Sequence, residues 1–192
     1  MTVTLNLARW AGSLDDADRT VLDRCVAPVL DVGCGPGRFV LALAEQGQAA
    51  LGVDITPAAV QLTQRHGAPA LHRDVFVRTP GEGRWPTALL MDGNVGIGGD
   101  PERLFTRLRK VITNAGQVLV EIHPDPGTDR CSTVRFSLGG LVGPPFPWAE
   151  IGRTALDRHA QRAGYVVVED WSVGGRSFAV LRPARSRATR TA

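Results

Sequence analysis

The sequence contains few cysteines, and none of them is paired in a metal-binding spacing. Cys25, Cys34 and Cys131 are odd in number, lie far apart and form no C-x-x-C unit. A small disulfide framework needs an even set of cysteines, and a structural zinc site needs closely spaced ligands. We therefore expect three free thiols, without a disulfide framework or a structural zinc site.

Long apolar runs are also missing. No stretch approaches the roughly 20 apolar residues that a membrane-spanning helix requires. The N-terminal segment MTVTLNLARW lacks the basic start and apolar core of a secretory signal. These features predict a cytoplasmic protein that has no membrane partner. A length of 192 residues with 43% hydrophobic residues fits one globular domain.

The excess positive charge is concentrated at one end of the chain. The net charge is +3 and the pI is near 9.1. The C-terminal sequence RPARSRATRTA has no apolar periodicity, and no aromatic residues for base stacking lie between its arginines. Residues 184–192 are therefore predicted to be a disordered basic tail, and nucleic acid is not the expected partner. The arginines concerned are Arg182, Arg185, Arg187 and Arg190.

The most informative segment spans residues 29–39, VLDVGCGPGRF. It begins with an apolar run, interrupted by Asp31, that is typical of a buried strand in a parallel sheet. Gly33, Gly35 and Gly37 then allow a sharp bend and the close approach of a ligand, because glycine has no Cβ. The helical run that follows places a helix N-terminus, with free N–H groups, over this turn. The segment predicts the floor of a nucleoside-cofactor pocket.

Two other interpretations of this turn must be considered. Dinucleotide-binding turns have the spacing G-x-G-x-x-G, but Arg38 stands where the last glycine is needed. Asp31 is also a poor neighbour for a diphosphate, whereas it suits a cationic ligand. A tight turn without a ligand rarely needs three glycines. The segment resembles motif I of the class I S-adenosylmethionine-dependent methyltransferases, D-x-G-x-G-x-G.

The order of the predicted elements agrees with this resemblance. Five strand-helix units precede two strands, 165–171 and 176–181, which are joined by a turn. The resemblance implies an α/β fold, a three-layer Rossmann-like sandwich with a seven-stranded, mostly parallel sheet that ends in an antiparallel hairpin. In the second half we also predict a turn at 114–116 and a helix over 148–163.

A single class I methyltransferase domain is expected over residues 1–183. Residues 1–27 are predicted to form an N-terminal helical cap, in which Arg9 and Trp10 either contribute to a lid or simply pack. Residues 124–148 are rich in proline and glycine. Because long insertions in compact domains are usually functional, this one is expected to form the acceptor pocket or its lid.

Further acidic residues follow the next predicted strands. Asp54 lies 23 residues after Asp31, close to the separation at which α/β nucleoside sites place a carboxylate on the ribose hydroxyls. The resemblance implies that Asp74 binds the adenine amino group and that the N–H of Val75 binds a ring nitrogen. It also implies S-adenosylmethionine as the cofactor and S-adenosylhomocysteine as its product. The predicted cofactor contacts are Asp31, Gly33, Cys34, Gly35, Gly37, Asp54, Ile55, Asp74, Val75, Asp92 and Gly93.

The expected reaction is methyl transfer to an oxygen or nitrogen atom of a small-molecule acceptor. His123 is the candidate general base because it ends a strand where the crevice should open. A structural histidine beside Pro124 is the alternative, and His159 is a weaker candidate base. Four aromatic residues could line an apolar acceptor pocket or belong to the core: Trp85, Phe146, Trp148 and Trp171.

Several residues near the predicted strand ends also bear on other functions. Some small O-methyltransferases bind a divalent cation at these strand ends, and Asp92, Asn94, His123 and Asp125 could supply ligands. Their order does not match that pattern closely, so no metal is predicted. Base methyltransferases carry a [DNS]-P-P-[YFW] turn, whereas residues 92–95 read DGNV. A cofactor-binding module without turnover, a protein or RNA methyltransferase and a nicotinamide-dependent reductase stay as alternatives.

Overall fold

A computed structural model describes residues 3–4, 12–138 and 141–184. Arg9 and Trp10, for which a lid was considered, lie outside the described residues, as do residues 185–192 of the predicted tail. No helix in the described part of the chain is long and apolar enough to cross a membrane.

Helices and strands alternate through most of the described chain. The α-helices are α1 (Asp16–Leu22), α2 (Arg38–Glu45), α3 (Pro57–Arg65), α4 (Pro101–Val111) and α5 (Arg153–Arg162). A 3₁₀ turn, Asn94–Gly96, precedes α4. The strands are β1 (Val3–Thr4), β2 (Val29–Val32), β3 (Ala50–Asp54), β4 (Ala70–His72), β5 (Trp85–Leu90), β6 (Ile112–Ile122), β7 (Asp129–Val134), β8 (Phe136–Leu138), β9 (Leu141–Val142), β10 (Phe146–Ile151), β11 (Tyr165–Val173) and β12 (Arg176–Pro183).

Seven strands form the main sheet, in the order β11-β12-β6-β5-β2-β3-β4. The pairs from β4 to β6 are parallel, whereas β12 is antiparallel to both β6 and β11. The turn between β11 and β12 consists of Gly174 and Gly175, both with positive φ, as a two-residue hairpin requires. The predicted fold class, including the antiparallel end of the sheet, is confirmed.

Helices cover both faces of this sheet. On one face α4 and α5 pack in the same cluster as Leu30, Leu90 and Val120. On the other face α1 and α2 pack with Leu89 and Leu119. Because successive strand residues point to opposite faces, the central strands supply both cores and are apolar at nearly every position. The three-layer arrangement is therefore present.

Two predicted boundaries in the second half are wrong. The predicted turn at 114–116 lies inside β6, which starts directly after α4 and pairs Ile112 with Trp85. A Cβ at Gly116 would lie 3.1 Å from the carbonyl of Pro86, so this glycine permits close strand packing. The helix predicted over 148–163 starts only at Arg153, because residues 146–151 pair with β7 instead.

The predicted insertion is largely a β-structure above the carboxyl edge of the sheet. In it β7 and β10 form an antiparallel pair that runs from Asp129↔Ile151 to Val134↔Phe146. An isolated bridge joins Ile97 to Trp148 and attaches the pair to the loop that follows β5. This contact brings the insertion to the side of the sheet where β2, β3 and β5 end.

Candidate active site

The three glycines of the turn after β2 all have positive φ, but their surroundings differ. A Cβ at Gly33 would lie 2.7 Å from Nδ2 of Asn94, and a Cβ at Gly37 would collide with Thr63. A Cβ at Gly35 would meet no atom within 4 Å. Two of the glycines therefore make room for neighbouring side chains, and Gly35 alone of the three borders open space.

Side chains from outside the turn hold Gly35 in place. Its N–H donates to Oδ2 of Asp54 at 2.9 Å, and its carbonyl accepts from Oγ1 of Thr63 at 3.0 Å. The other oxygen of Asp54 accepts from the N–H of Thr56 at 2.7 Å. The structure thus brings Asp54, the predicted ribose carboxylate, into direct contact with the glycine turn.

Asp31 is buried in β2 directly below the turn, with 2% of its surface exposed. Burial raises the pKa of this carboxyl group from 3.8 to about 7; Arg38 opposes the shift, while Asp92 and Asp54 add to it. A nearby cation would favour the ionised form. A cationic ligand beside Asp31 would therefore lower the pKa of this carboxyl group and be attracted by its negative charge.

A buried ionic network lies beside the turn. Arg38, the first residue of α2, donates to Asp18 at 2.9 Å and to Asp92 at 3.1 Å. Arg176, the first residue of β12, donates to Asp18 at 2.7 Å and to Glu121 at 2.8 Å. Although burial alone would raise the pKa of Asp18, the two guanidinium groups hold it below its usual value.

Asp92 has an unusual backbone conformation within this network. Its φ is +54°, in the left-handed region that residues other than glycine seldom adopt. The N–H of Asp92 donates to Oε2 of Glu121 at 2.7 Å, and Gly93 follows with a φ of +80°. Strained residues of this kind are concentrated at functional sites because the surrounding structure must hold them in place.

The residues predicted to contact adenine lie further along the same edge of the sheet. Oδ1 of Asp74 accepts from the N–H of Phe76 at 2.8 Å, and Val75 is buried. Ile55 is 68% exposed directly after β3, as suits a residue that could cover a flat ring. Cys34 is buried below the turn, where its side chain limits the space at Gly52.

A cavity of about 270 Å³ lies between the loop after β5, the end of β6 and the β7–β10 pair. Apolar side chains and a few polar ones line it together, as in small-molecule sites. Three residues predicted from the sequence for the site are among them: Asp92, Gly93 and His123. The other lining residues are Val95, Glu121, Ile122, Val134, Trp148, Ala149, Glu150 and Ile151.

Of the four candidate pocket aromatics, Trp148 lines this cavity. Phe146 packs edge to face on Trp148, with 5.9 Å between the ring centres. Trp85 is a core residue whose indole N–H donates to the carbonyl of Pro80. Trp171 stacks on Phe178, away from the cavity. The interpretation as core or packing residues thus holds for Trp85 and Trp171.

His123 lies at the cavity with one ring nitrogen engaged. Its Nδ1 accepts from the N–H of Asp125 at 3.1 Å and is 3.0 Å from Oγ1 of Thr128. Because a backbone N–H can only donate, this contact assigns the proton of the neutral ring to Nε2. The ring then offers a hydrogen-bond donor, not a basic lone pair, at Nε2. A catalytic role for His123 stays a prediction.

The remaining polar candidates all have hydrogen-bond partners within the protein. Nε2 of His159 is 3.2 Å from Asp129, on the surface of α5. Asn94 donates to the backbone of β2, and Asp125 accepts from Gly127. Among the described residues, no group of three or more His, Cys, Asp or Glu side chains is placed to hold a metal ion. The three cysteines are free thiols, as predicted.

A second cavity, of about 330 Å³, lies between residues 12–14 and the outer side of α2. Arg38 and Pro36 border it, but neither Asp54 nor His123 does. Of the predicted site residues, Asp92, Gly93 and His123 line the smaller cavity and none lines the larger one, so we assign the acceptor side of the site to the smaller cavity.

Sequence reasoning missed several residues of this site. The buried charges Arg38, Arg176 and Glu121 had no assigned role, and Asn94 was considered only as a metal ligand. Asp18 could have been identified, because a charged residue next to Ala17 on the apolar face of α1 indicates a buried ion pair. The partners of these charges are distant in sequence, so the pairing could not be derived from local patterns.

Known proteins resemble this chain in one domain match and in fold. Residues 29–116 match a family model described as a methyltransferase domain. A methyltransferase from Bacteroides fragilis, solved with S-adenosyl-L-homocysteine, has a TM-score of 0.82 at 22% identity, covering 94% of this chain and 83% of that one. The CcbJ methyltransferase from Streptomyces caelestis has a TM-score of 0.68 at 18% identity, covering 92% of each chain.

A third similar structure contains an acceptor molecule. The 1,6-didemethyltoxoflavin-N1-methyltransferase from Burkholderia thailandensis, with bound 1,6-didemethyltoxoflavin and S-adenosylhomocysteine, has a TM-score of 0.65 at 20% identity. The match covers 87% of this chain and 75% of that one. These likenesses establish a common fold. The chain therefore has the class I, Rossmann-like methyltransferase fold, and its residues 29–116 match a methyltransferase domain.

Proposed function

We propose that the protein binds S-adenosylmethionine over the turn after β2 and transfers its methyl group to an oxygen or nitrogen atom of a small molecule. The observation that carries this proposal is the open space at Gly35, next to buried Asp31. A Cβ would fill that space, and the neighbouring carboxyl group favours a cation. Both properties fit an adenosyl sulfonium.

The proposed contacts follow from the chain's own groups. Each carboxylate oxygen of Asp54 accepts one backbone N–H, so each has a second lone pair that could accept a ribose hydroxyl. Asp74 and Val75 would contact the adenine ring, and exposed Ile55 would cover it. The remaining predicted contacts lie in the turn itself or in the loop that follows β5. They are Gly33, Cys34 and Gly37 in the turn, and Asp92 and Gly93 in the loop.

When bound, S-adenosylmethionine supplies an electrophilic methyl carbon. The protein must then align the acceptor atom with that carbon and exclude water. The β7–β10 pair closes the 270 Å³ cavity from above, and Trp148 gives it an aromatic wall. We assign this cavity to the acceptor, within a single domain over residues 1–183 in which residues 124–148 form the acceptor wall.

The size of the cavity and its mixed lining support a small-molecule acceptor. The Burkholderia thailandensis enzyme, by name, methylates N1 of a small heterocycle. His123 would donate from Nε2 to a lone pair of the acceptor and so orient it. Nitrogen-15 shifts of the imidazole ring would test this tautomer, because a proton on Nδ1 would contradict it.

Titration calorimetry with S-adenosylhomocysteine tests the proposed cofactor site. Gly35→Val places a branched side chain in the open space, so we expect binding to fall at least about 100-fold, equivalent to about 2.7 kcal/mol. Gly47→Val is the matched control. Gly47 also has a positive φ and no atom within 4 Å of an added Cβ, but it follows α2 at the opposite edge of the sheet.

Gly35→Val and Gly47→Val both place a branched residue in the left-handed region, so both lose stability. Only Gly35→Val also blocks the proposed cofactor site. The control should therefore bind like the wild type after correction for any unfolded fraction. Absence of heat with the wild-type protein would reject the proposed cofactor. Binding without methyl release from S-adenosylmethionine, across amine and phenol acceptors, would favour a cofactor-binding module.

A further inference from the structure

Asn94 connects the loop that follows β5 to the glycine turn. Its Nδ2 donates to the carbonyl of Val32 and to that of Gly33, both at 2.9 Å. A side-chain amide has two N–H protons, so both are used on consecutive carbonyls. Since only the nitrogen can donate to a carbonyl, the contact also fixes which atom of the amide faces the turn.

The sequence provides space for this contact at Gly33. A Cβ there would lie 2.7 Å from Nδ2 and 2.9 Å from Cγ of Asn94. Any other residue at this position would therefore push the amide away from the two carbonyls. Asn94 therefore depends on a glycine that lies 61 positions earlier in the chain.

The neighbours of Asn94 in the chain belong to the acceptor cavity. Gly93 and Val95 both line it, and the N–H of Asn94 donates to the carbonyl of Met91 at 2.9 Å. A displacement of the glycine turn would thus move the cavity wall through one rigid side chain. Methyl transfer is sensitive to such displacements, since a shift of about 1 Å can cost about 100-fold in rate.

We infer that Asn94 is a positioning residue that sets the cofactor turn and the acceptor cavity at a fixed relative geometry. This inference rests on the proposed function, which assigns the glycine turn to the cofactor and the cavity to the acceptor. It assigns Asn94 neither a bond to the reacting atoms nor a proton in the reaction.

The test follows backbone amide signals by two-dimensional NMR while S-adenosylhomocysteine is added. In the wild type, signals of the turn and of the cavity loop should both shift, namely those of residues 33–35 and of residues 95–96, which are not proposed to contact the cofactor. In Asn94→Ala the turn signals should still shift, whereas those of the loop should lose most of their response. Binding should weaken about tenfold, because two hydrogen bonds that preorganise the turn are lost.

Thr63→Val is the matched control. It removes the hydrogen bond from Oγ1 to the carbonyl of Gly35 but leaves Asn94 in place. Its binding should weaken similarly while the response of the cavity loop persists. A purely structural role for Asn94 would make the two variants behave alike, and that result would overturn the inference.

A second variant covers the case in which Asn94→Ala does not fold. Gly33→Ala retains Asn94 but displaces its amide, and it should show the same loss of response in the loop. A full loop response in either variant would overturn the inference. Failure of wild-type protein to bind S-adenosylhomocysteine would instead reject the proposed function, so the two failures are distinguishable.

Discussion

The carboxyl group of Asp31 lies within a parallel strand, where water does not reach it. Burial raises its pKa from 3.8 to about 7. The folded protein therefore binds this proton more tightly than the unfolded chain does. The resulting stabilisation is complete below pH 3.8 and is lost as the pH rises to about 7.

Asp31→Asn should remove this pH dependence. An uncharged amide keeps the shape of the carboxyl group, so the variant should be more stable than the wild type at pH 8, by no more than about 4 kcal/mol. Urea unfolding of the ligand-free protein between pH 4 and 8 measures the effect. If both proteins lose the same stability over that range, Asp31 is not the group responsible.

At the scale of elements, the second glycine-rich loop packs directly against β10. A Cβ at Gly96 would collide with the carbonyl of Ala149, and one at Gly99 would lie 2.6 Å from Cβ of Pro147. The loop and the strand therefore approach more closely than side chains allow. This contact fixes the height of the β7–β10 pair above the sheet.

Gly96→Ala should separate the loop from β10. Overpacking of this kind costs about 1–3 kcal/mol, and the cavity that contains Trp148 should change shape. Gly127→Ala is the control, because its Cβ would lie 3.5 Å from Oδ1 of Asp125, an ordinary van der Waals distance. Thermal unfolding and Trp fluorescence measure the two effects. Equal stability of both variants would contradict the packing argument.

Much of this arrangement of elements could be predicted from the sequence. Apolar runs and glycine turns located β2, β3 and the final hairpin, because burial and turn chemistry are local properties. The start of β6 at Ile112 and the strand Phe146–Ile151 were missed. Both depend on pairing with distant strands, which overrides the local preference for a turn or a helix.

At the scale of the whole molecule, the buried ionic network joins the first described helix to the last strand. Arg176 contacts Asp18 and Glu121, and it also donates to Asp15, the N-cap residue of α1. Three segments that are far apart in the chain thus meet beside the cofactor turn. Helix α1 is therefore held by charge as well as by its apolar face.

Arg176→Met should destabilise the protein strongly. The apolar side chain leaves buried carboxylates without their guanidinium partner, a change that costs about 3–5 kcal/mol. Arg130→Met is the control, since Arg130 pairs with Glu150 at the surface and should leave the stability almost unchanged. Chemical denaturation of both variants provides the comparison. A small effect at Arg176 would show that the network contributes little to stability.

The motif residues of the site could be predicted, but the residues that support them could not. Asp31, Asp54 and the three glycines form a local pattern with a recognisable spacing. Asn94 and Arg176 act through contacts across 61 and 158 positions, respectively. No periodicity or turn preference encodes such contacts, which arise only when the strands are ordered in the sheet.

The position of β12 has a consequence for the order in which the molecule is made. This strand is the last in the described part of the chain, yet it lies between β6 and β11. A ribosome releases the N-terminal part first, so the glycine turn emerges long before Arg176 does. The pocket can acquire its final charge arrangement only after Arg176 has been synthesised, and until then the growing chain contains the glycine motif without the guanidinium group that pairs with Asp18 and Glu121.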